Sequence, residues 1–185
     1  MVSWDSLLTG GSVLRYAMQT NFFTSSIYRP SPHDAHEVSV CLATHADLDL
    51  LRMWKNDNAQ SFFHQSHISA SQQQDWFSGY LLRGHDYMFI ATLDQRTRFG
   101  CLGCRYSEKT GWDIYNVING SVENRGRGLM SVALQQVLSF CRCRPHAPIT
   151  LKVLVNNPAR FWYEKNGFVS RQMNADFIQM EYDQG

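Results

Sequence analysis

The sequence predicts one domain of mixed α/β architecture, of the α+β type: a mostly antiparallel central sheet with helices on both faces. Three observations carry this. Three β-rich segments, "YMFIATL" (87–93), "RFGCLGCRYS" (98–107) and "WDIYNVIN" (112–119), follow one another with only the turn-like "DQRT" and "EKTG" between them, which is a meander. A helix, strand, helix, strand succession runs from residue 129 onward, and only a sheet covered on both faces packs both patterns. The chain has 185 residues, 44% of them hydrophobic, enough for one substantial core.

The elements follow in order. Residues 1–36 have weak periodicity and end in "YRPSPHDAH", whose prolines and polar residues read as a linker; this is an N-terminal extension without an assigned role, and the domain proper is expected over 37–185. "EVSVCLA" reads as a strand. "THADLDLLRMWKN" reads as a helix with Thr44 as N-cap and Leu48, Leu51 and Trp54 on one face. After the polar, aromatic loop "DNAQSFFHQSH", the run "SASQQQDWFSGYLL" forms a second helix capped by Ser69 or Ser71. Beyond the meander, Leu129 to Cys141 places Leu129, Val132, Ala133, Gln136, Val137 and Phe140 on one helical stripe. "ITLKVLV" is a β-branched strand, "PARFWYEKN" a helix with Pro158 in its first turn and Gly167 as its stop, and "FVSRQMNADFIQMEY" supplies one or two strands.

Composition excludes several classes. Seventeen basic and sixteen acidic residues leave a formal charge of +1, so no whole-chain field draws nucleic acid or an anionic membrane. No apolar run approaches the roughly 18 to 20 residues of a membrane span, and no signal-peptide pattern opens the chain; the expectation is a soluble, cytoplasmic protein. Five cysteines, an odd number, fit a reducing compartment. Cys101 and Cys104 with Cys141 and Cys143 have the residue types of a zinc site. On a strand, however, positions 101 and 104 point to opposite faces, so free thiols and no bound metal are expected.

"ENRGRGLM" (123–130) carries the chemistry. A strand feeding a glycine turn that opens a helix presents backbone N–H groups without internal partners, backed by the positive end of the helix dipole. That is an anion cradle. Gly126 and Gly128 allow positive φ and close approach, and Arg125 and Arg127 add charge. By itself the tetrapeptide from Arg125 to Gly128 also reads as a solvated turn with two surface arginines.

Joined to "LKVLVNNPARFWYEKNGF" at its observed separation, the turn resembles the acetyl-CoA-binding core of the Gcn5-related N-acetyltransferase (GNAT) superfamily. Arg125 and Gly128 fill the first two positions of the family's Arg/Gln-x-x-Gly-x-Gly/Ala signature, and Met130 departs from the third. The resemblance covers about residues 37–170. Upstream, "LRMWKNDNAQSFF" and "ISASQQQDWF" are similar to members that include nucleotide-sugar and ribosomal-protein N-terminal acetyltransferases. It implies a GNAT-like fold and direct acetyl transfer from acetyl-CoA to an amine. It implies backbone donors at Arg125, Gly126, Arg127, Gly128, Leu129 and Met130 for the pyrophosphate, Val117 and Ile118 pairing with the pantetheine arm, and Asn156 assisting it. Tyr163 is the implied general acid, and Asp113 the implied general base, with Glu123 as an alternative. His64 and His67 are candidate acceptor-pocket residues beside Phe62 and Phe63.

The resemblance implies that the first two helices and their loop, residues 44–82, form one wall of the acceptor site, which here offers Arg52, Lys55, Asn56, His64, Gln65 and His67 among Trp54, Phe62 and Phe63, polar and cationic with aromatic surfaces. The expected acceptor is therefore a primary amine on a small polar molecule, an amino sugar or nucleotide-linked amino sugar. A protein N-terminus or lysine, or a non-catalytic acyl-CoA-binding module, are the alternatives. The expected partners are this small-molecule amine, no nucleic acid and no membrane, in a monomer or homodimer.

Overall fold

The computed structural model describes residues 23–31, 34–142 and 147–183. Its strands are β1 (Phe23–Ser31), β2 (Asp34–Leu42), β3 (Asp86–Leu93), β4 (Thr97–Ser107), β5 (Gly111–Asn119), β6 (Ile149–Leu154), β7 (Phe168–Met173) and β8 (Phe177–Tyr182). They form one sheet in the order β1-β2-β3-β4-β5-β6-β8-β7. Every pairing is antiparallel except β5 with β6. The helices are α1 (Leu48–Asp57), α2 (Ala70–Leu82), α3 (Leu129–Cys141) and α4 (Ala159–Lys165).

The two faces are read off the strand alternation. On β3, Tyr87, Phe89, Ala91 and Leu93 join the core beneath α3, while Met88 and Ile90 join the one beneath α1 and α2. All of β3 is buried, as a central strand covered on both faces must be. The α1 and α2 core holds Leu48, Leu51, Trp54, Phe77 and Tyr80; the α3 and α4 core holds Leu134, Val137, Phe140 and Tyr163 around the fully buried Trp112. Truncating Trp112 there would cost about 3–5 kcal/mol.

Thr44 does not cap α1 itself: it opens the 3-10 turn His45–Asp47, its N–H donating to Asp47 Oδ2 at 2.8 Å, and Asp47 is the N-cap of α1. Ser69 and Gln72 form a reciprocal capping box on α2, with bonds of 3.2 and 2.8 Å. The sheet, however, begins at Phe23 and not near Glu37, because β1 pairs with β2 in a hairpin from Phe23↔Cys41 to Ser31↔Asp34. "YRPSPHDAH" is therefore no simple linker. At the edge of a sheet one side of the strand needs no partner, so Pro30 is tolerated and the sequence loses the pattern of a strand buried on both faces. Residues 1–22 lie outside the described residues.

One irregularity matters for the site. The parallel pairing of β5 and β6 is confined to Trp112–Ile114 against Ile149–Leu151. Beyond it β5 continues to Asn119 and β6 to Leu154 without pairing with each other, and the sheet opens between them.

Candidate active site

That opening is the mouth of a cleft of about 1440 Å³ running from the glycine turn to the loop after α1. At one end lies the turn. Gly128 is the N-cap of α3 at φ 79°, with no side-chain cap, and Gly126 has φ 75°. The backbone N–H groups from Gly126 to Met130 find no acceptor among the described residues, so the first turn of α3 offers a run of free donors at the helix's positive end. A Cβ at Gly126 would meet nothing within 4 Å, so the space over this main chain is open to a ligand.

Arg125, Gly126, Gly128, Leu129 and Met130 line the cleft. Arg127 does not: its Nη1 donates to Asn124 Oδ1 at 2.8 Å, and its carbonyl accepts from the Tyr28 hydroxyl. Met130, the departure from the family signature, seats its Sδ 2.6 Å from the position of a Cβ on Gly100. Its bulk lies on β4 and its N–H stays available. The missing side chain at Gly100 makes that room.

The middle of the cleft is the free half of β5. Cys101 pairs with Ile118 and Gly103 with Tyr115, so Asn116 and Val117 share the place opposite Leu102. This is a β-bulge, with Asn116 at φ 48°, a left-handed conformation that asparagine tolerates. Val117 and Ile118 line the cleft just where β6 has turned away. Across from them Tyr163 reaches the cleft from α4, packed edge-on against Trp162 and Phe168. Its hydroxyl has no hydrogen-bond partner among the described residues, and burial pushes its pKa above that of an ordinary phenol. Trp162 Nε1 donates to Ser131 Oγ at 3.0 Å and ties α4 to α3.

Asn156 is exposed and does not line the cleft; its neighbour Asn157 does. Asn157 Oδ1 accepts the N–H of Ala159 at 2.9 Å, capping α4, and its Nδ2 donates to the Ser61 carbonyl at 3.2 Å. Of two adjacent asparagines on opposite sides of the chain, local sequence could not say which one turns inward.

The far end is cationic. Lys55 Nζ donates to Asn116 Oδ1 at 2.6 Å and stands 3.0 Å over the Phe62 ring. Burial lowers its pKa to about 8, with the nearby Cys101 thiol opposing that shift. Arg105 holds Asp113 at 2.7 Å and covers the face of Tyr115, whose hydroxyl donates to the buried Asp86. Asp113 lines the cleft but lies in the paired part of β5, about 13 Å along the strand from Val117. His64 lines the cleft, whereas His67 meets Asn56 instead, and Glu123 stays outside on the exposed turn before Arg125.

Asn116, Tyr115 and Asn157 were not singled out as site residues from the sequence, and Lys55 was expected only as one of several polar residues on the acceptor wall of residues 44–82. The signal for Lys55 was its place one position after Trp54 on an amphipathic helix, at the edge of the buried face. Nothing local announced the bulge. Cys101 belongs to the core under α1 and Cys104 to the core under α3, so the CxxC is split between faces. Cys143 lies outside the described residues.

A sheet parted beside a bulge, with a helix N-terminus that has no side-chain cap at one end and a polar pocket at the other, fits an acyltransferase that holds a phosphorylated carrier across the gap. A family model of the acetyltransferase (GNAT) domain matches residues 40–169, and the chain belongs to that family. It is an N-acetyltransferase with acetyl-CoA as cosubstrate. The free donors from Gly126 to Met130 and the open space at Gly126 fit the pyrophosphate of that cosubstrate, and the unpaired length of β5 fits its amide-bearing arm.

Solved structures of the same fold include spermidine N-acetyltransferase from Vibrio cholerae in complex with CoA and spermine. It is 18% identical with a TM-score of 0.68, over 78% of this chain and 94% of that one. A dodecameric structure of the Vibrio cholerae enzyme in an intermediate state is 18% identical with a TM-score of 0.64, over 80% and 94%. A domain from Methanocaldococcus jannaschii DSM 2661 is 16% identical with a TM-score of 0.68, over 85% and 98%. Among curated proteins none matches the sequence. No helix of the described residues is long and apolar enough to cross a membrane.

Proposed function

We propose that the protein acetylates the primary amine of a small polar acceptor that also carries hydroxyl or anionic groups, an amino sugar or nucleotide-linked amino sugar. The supporting observation is the charge of the acceptor end. Among the described residues lining the cleft Asp113 is the one carboxylate, and Arg105 already holds it at 2.7 Å. Lys55 and Lys152 line the same cleft away from the glycine turn, with no ion pair to a described residue. A polyamine, the ligand of the Vibrio protein, would bring several positive charges to this surface and be repelled; an acceptor with a phosphate or carboxylate would be drawn in.

Bound acetyl-CoA supplies the thioester that the amine attacks. This chain supplies the cradle at Arg125 to Met130, the free edge of β5 at Val117 and Ile118, and a proton donor. Tyr163 keeps its proton through neutral pH because burial disfavours the phenolate, so it stands ready as the donor a leaving thiolate requires. Asp113 is the candidate proton acceptor: Arg105 engages its Oδ2, which leaves the other carboxylate oxygen to take the proton.

The test is a thiol-release assay on purified protein with acetyl-CoA and a panel of glucosamine, nucleotide-linked amino sugars, spermidine and peptides with free N-termini. Turnover of the amino sugars is expected. Efficient turnover of spermidine or of peptides, with every amino sugar inert, would refute this acceptor class.

A further inference from the structure

Tyr28 lies outside the matched domain, on the edge strand β1, yet its hydroxyl donates to the carbonyl of Arg127, 99 residues further along the chain. The contact is more than a chance touch of a surface side chain. The Tyr28 ring packs against the core that contains Leu129 and Ala133 of α3. A Cβ on Gly128 would lie 3.8 Å from Tyr28 Cε2 and 3.9 Å from its hydroxyl, so the ring stands over the side of Gly128 where a side chain would project.

The consequence follows from peptide geometry. A trans peptide is planar, and its C=O and N–H point in opposite directions. Holding the Arg127 carbonyl on Tyr28 therefore turns the N–H of Gly128 away from Tyr28. Gly128 lines the cleft and Tyr28 does not, so the pinned peptide presents its donor on the ligand side. Gly128 has no Cβ, and a glycine at φ 79° is where a peptide plane flips at least expense; without an anchor this donor would be the loosest in the cradle. Asn124 steadies the same turn from the other end. It is buried, accepts from Arg127 Nη1 at 2.8 Å and donates to Ser121 Oγ at 3.0 Å. The side chain of Arg127 is thus tied inside the turn, and its main chain is tied to β1.

We infer that Tyr28 is a positioning residue of the coenzyme A site: strand β1, which precedes the matched domain, completes the pyrophosphate cradle by locking the Arg127–Gly128 peptide. The benefit is preorganisation, since a donor already aimed loses less freedom on binding than one that must be found.

Calorimetric titration of the full chain with coenzyme A, and separately with pantetheine, which lacks the phosphates, tests this without any acceptor amine. Tyr28→Phe keeps the ring and removes the donor. Its Kd for coenzyme A should rise about three- to ten-fold, the value of one net hydrogen bond, while its Kd for pantetheine changes by less than about twofold. Unchanged coenzyme A affinity, or an equal loss for both ligands, overturns the assignment. A second measurement needs no variant: in the wild type, coenzyme A should slow amide hydrogen exchange in residues 23–31 as well as in the turn. Exchange in 23–31 that ignores coenzyme A would equally overturn it.

Discussion

Gly128→Val separates shape from charge in the cradle. The native residue sits at φ 79°, where an L side chain costs about 1–2 kcal/mol and a β-branched one more. Valine has two outcomes. If the turn keeps its shape, that strain appears as lost stability. If the turn relaxes to negative φ, the N–H groups of Gly128 and Leu129 swing off the ligand. At about 1.5 kcal/mol for each hydrogen bond to a charged phosphate, relaxation removes about 3 kcal/mol, on the order of a hundred-fold in Kd. Arg127→Ala removes a side chain that does not line the cleft and that bonds Asn124 instead. What it loses is a screened charge near the site and one part-buried hydrogen bond to Asn124 within the turn, together about 1 kcal/mol or about five-fold. Calorimetric titration of acetyl-CoA at one fixed salt concentration reads both, with ligand-free melting curves showing that each variant is folded. A folded Gly128→Val that matches wild type in both stability and affinity, or an Arg127→Ala that loses about a hundred-fold in affinity, would refute the main-chain cradle.

Three further outcomes are expected. Tyr163→Phe should lower kcat while leaving acetyl-CoA affinity nearly unchanged, because the hydroxyl acts only as the thiolate leaves; full turnover in this variant removes Tyr163 as the acid. Lys55 has a pKa of about 8 when folded against about 10.4 unfolded, so between those values the unfolded chain binds more protons and stability rises with pH. The penalty of the buried ammonium is full below pH 8. Lys55→Met should therefore melt higher than wild type at pH 7, with the gap closing toward pH 10, and should raise the acceptor's KM; a gap that does not depend on pH contradicts the shift. Metal analysis of the purified protein should find no stoichiometric zinc and chelator should leave Tm unchanged, since Cys101 and Cys104 serve opposite cores; one tightly held zinc per chain would contradict this.

The parts of this protein that depend on neighbours in the chain were legible in the sequence. The cap at Ser69, the helix from Leu129 to Cys141, the meander and the glycine turn are all short-range, because a helix repeats every few residues and a turn needs particular φ angles at particular positions. The family and its cosubstrate were legible too, since the turn and the "NNPARFWYEKNGF" segment are each local motifs. What depends on distant contacts was not. Only the folded chain decided that β1 joins the sheet, that Asn157 and not Asn156 turns into the cleft, that β5 bulges at Asn116 and that Lys55 crosses to meet it. It also decided that Asp113 is held by Arg105 from the next strand, and that Tyr28 grips a peptide on the far side of the domain. The physical reason is the same in each case: an edge strand, a bulge and a buried amine are all stabilised by partners that sequence spacing does not name, so their energies exist only once the sheet has brought those partners together.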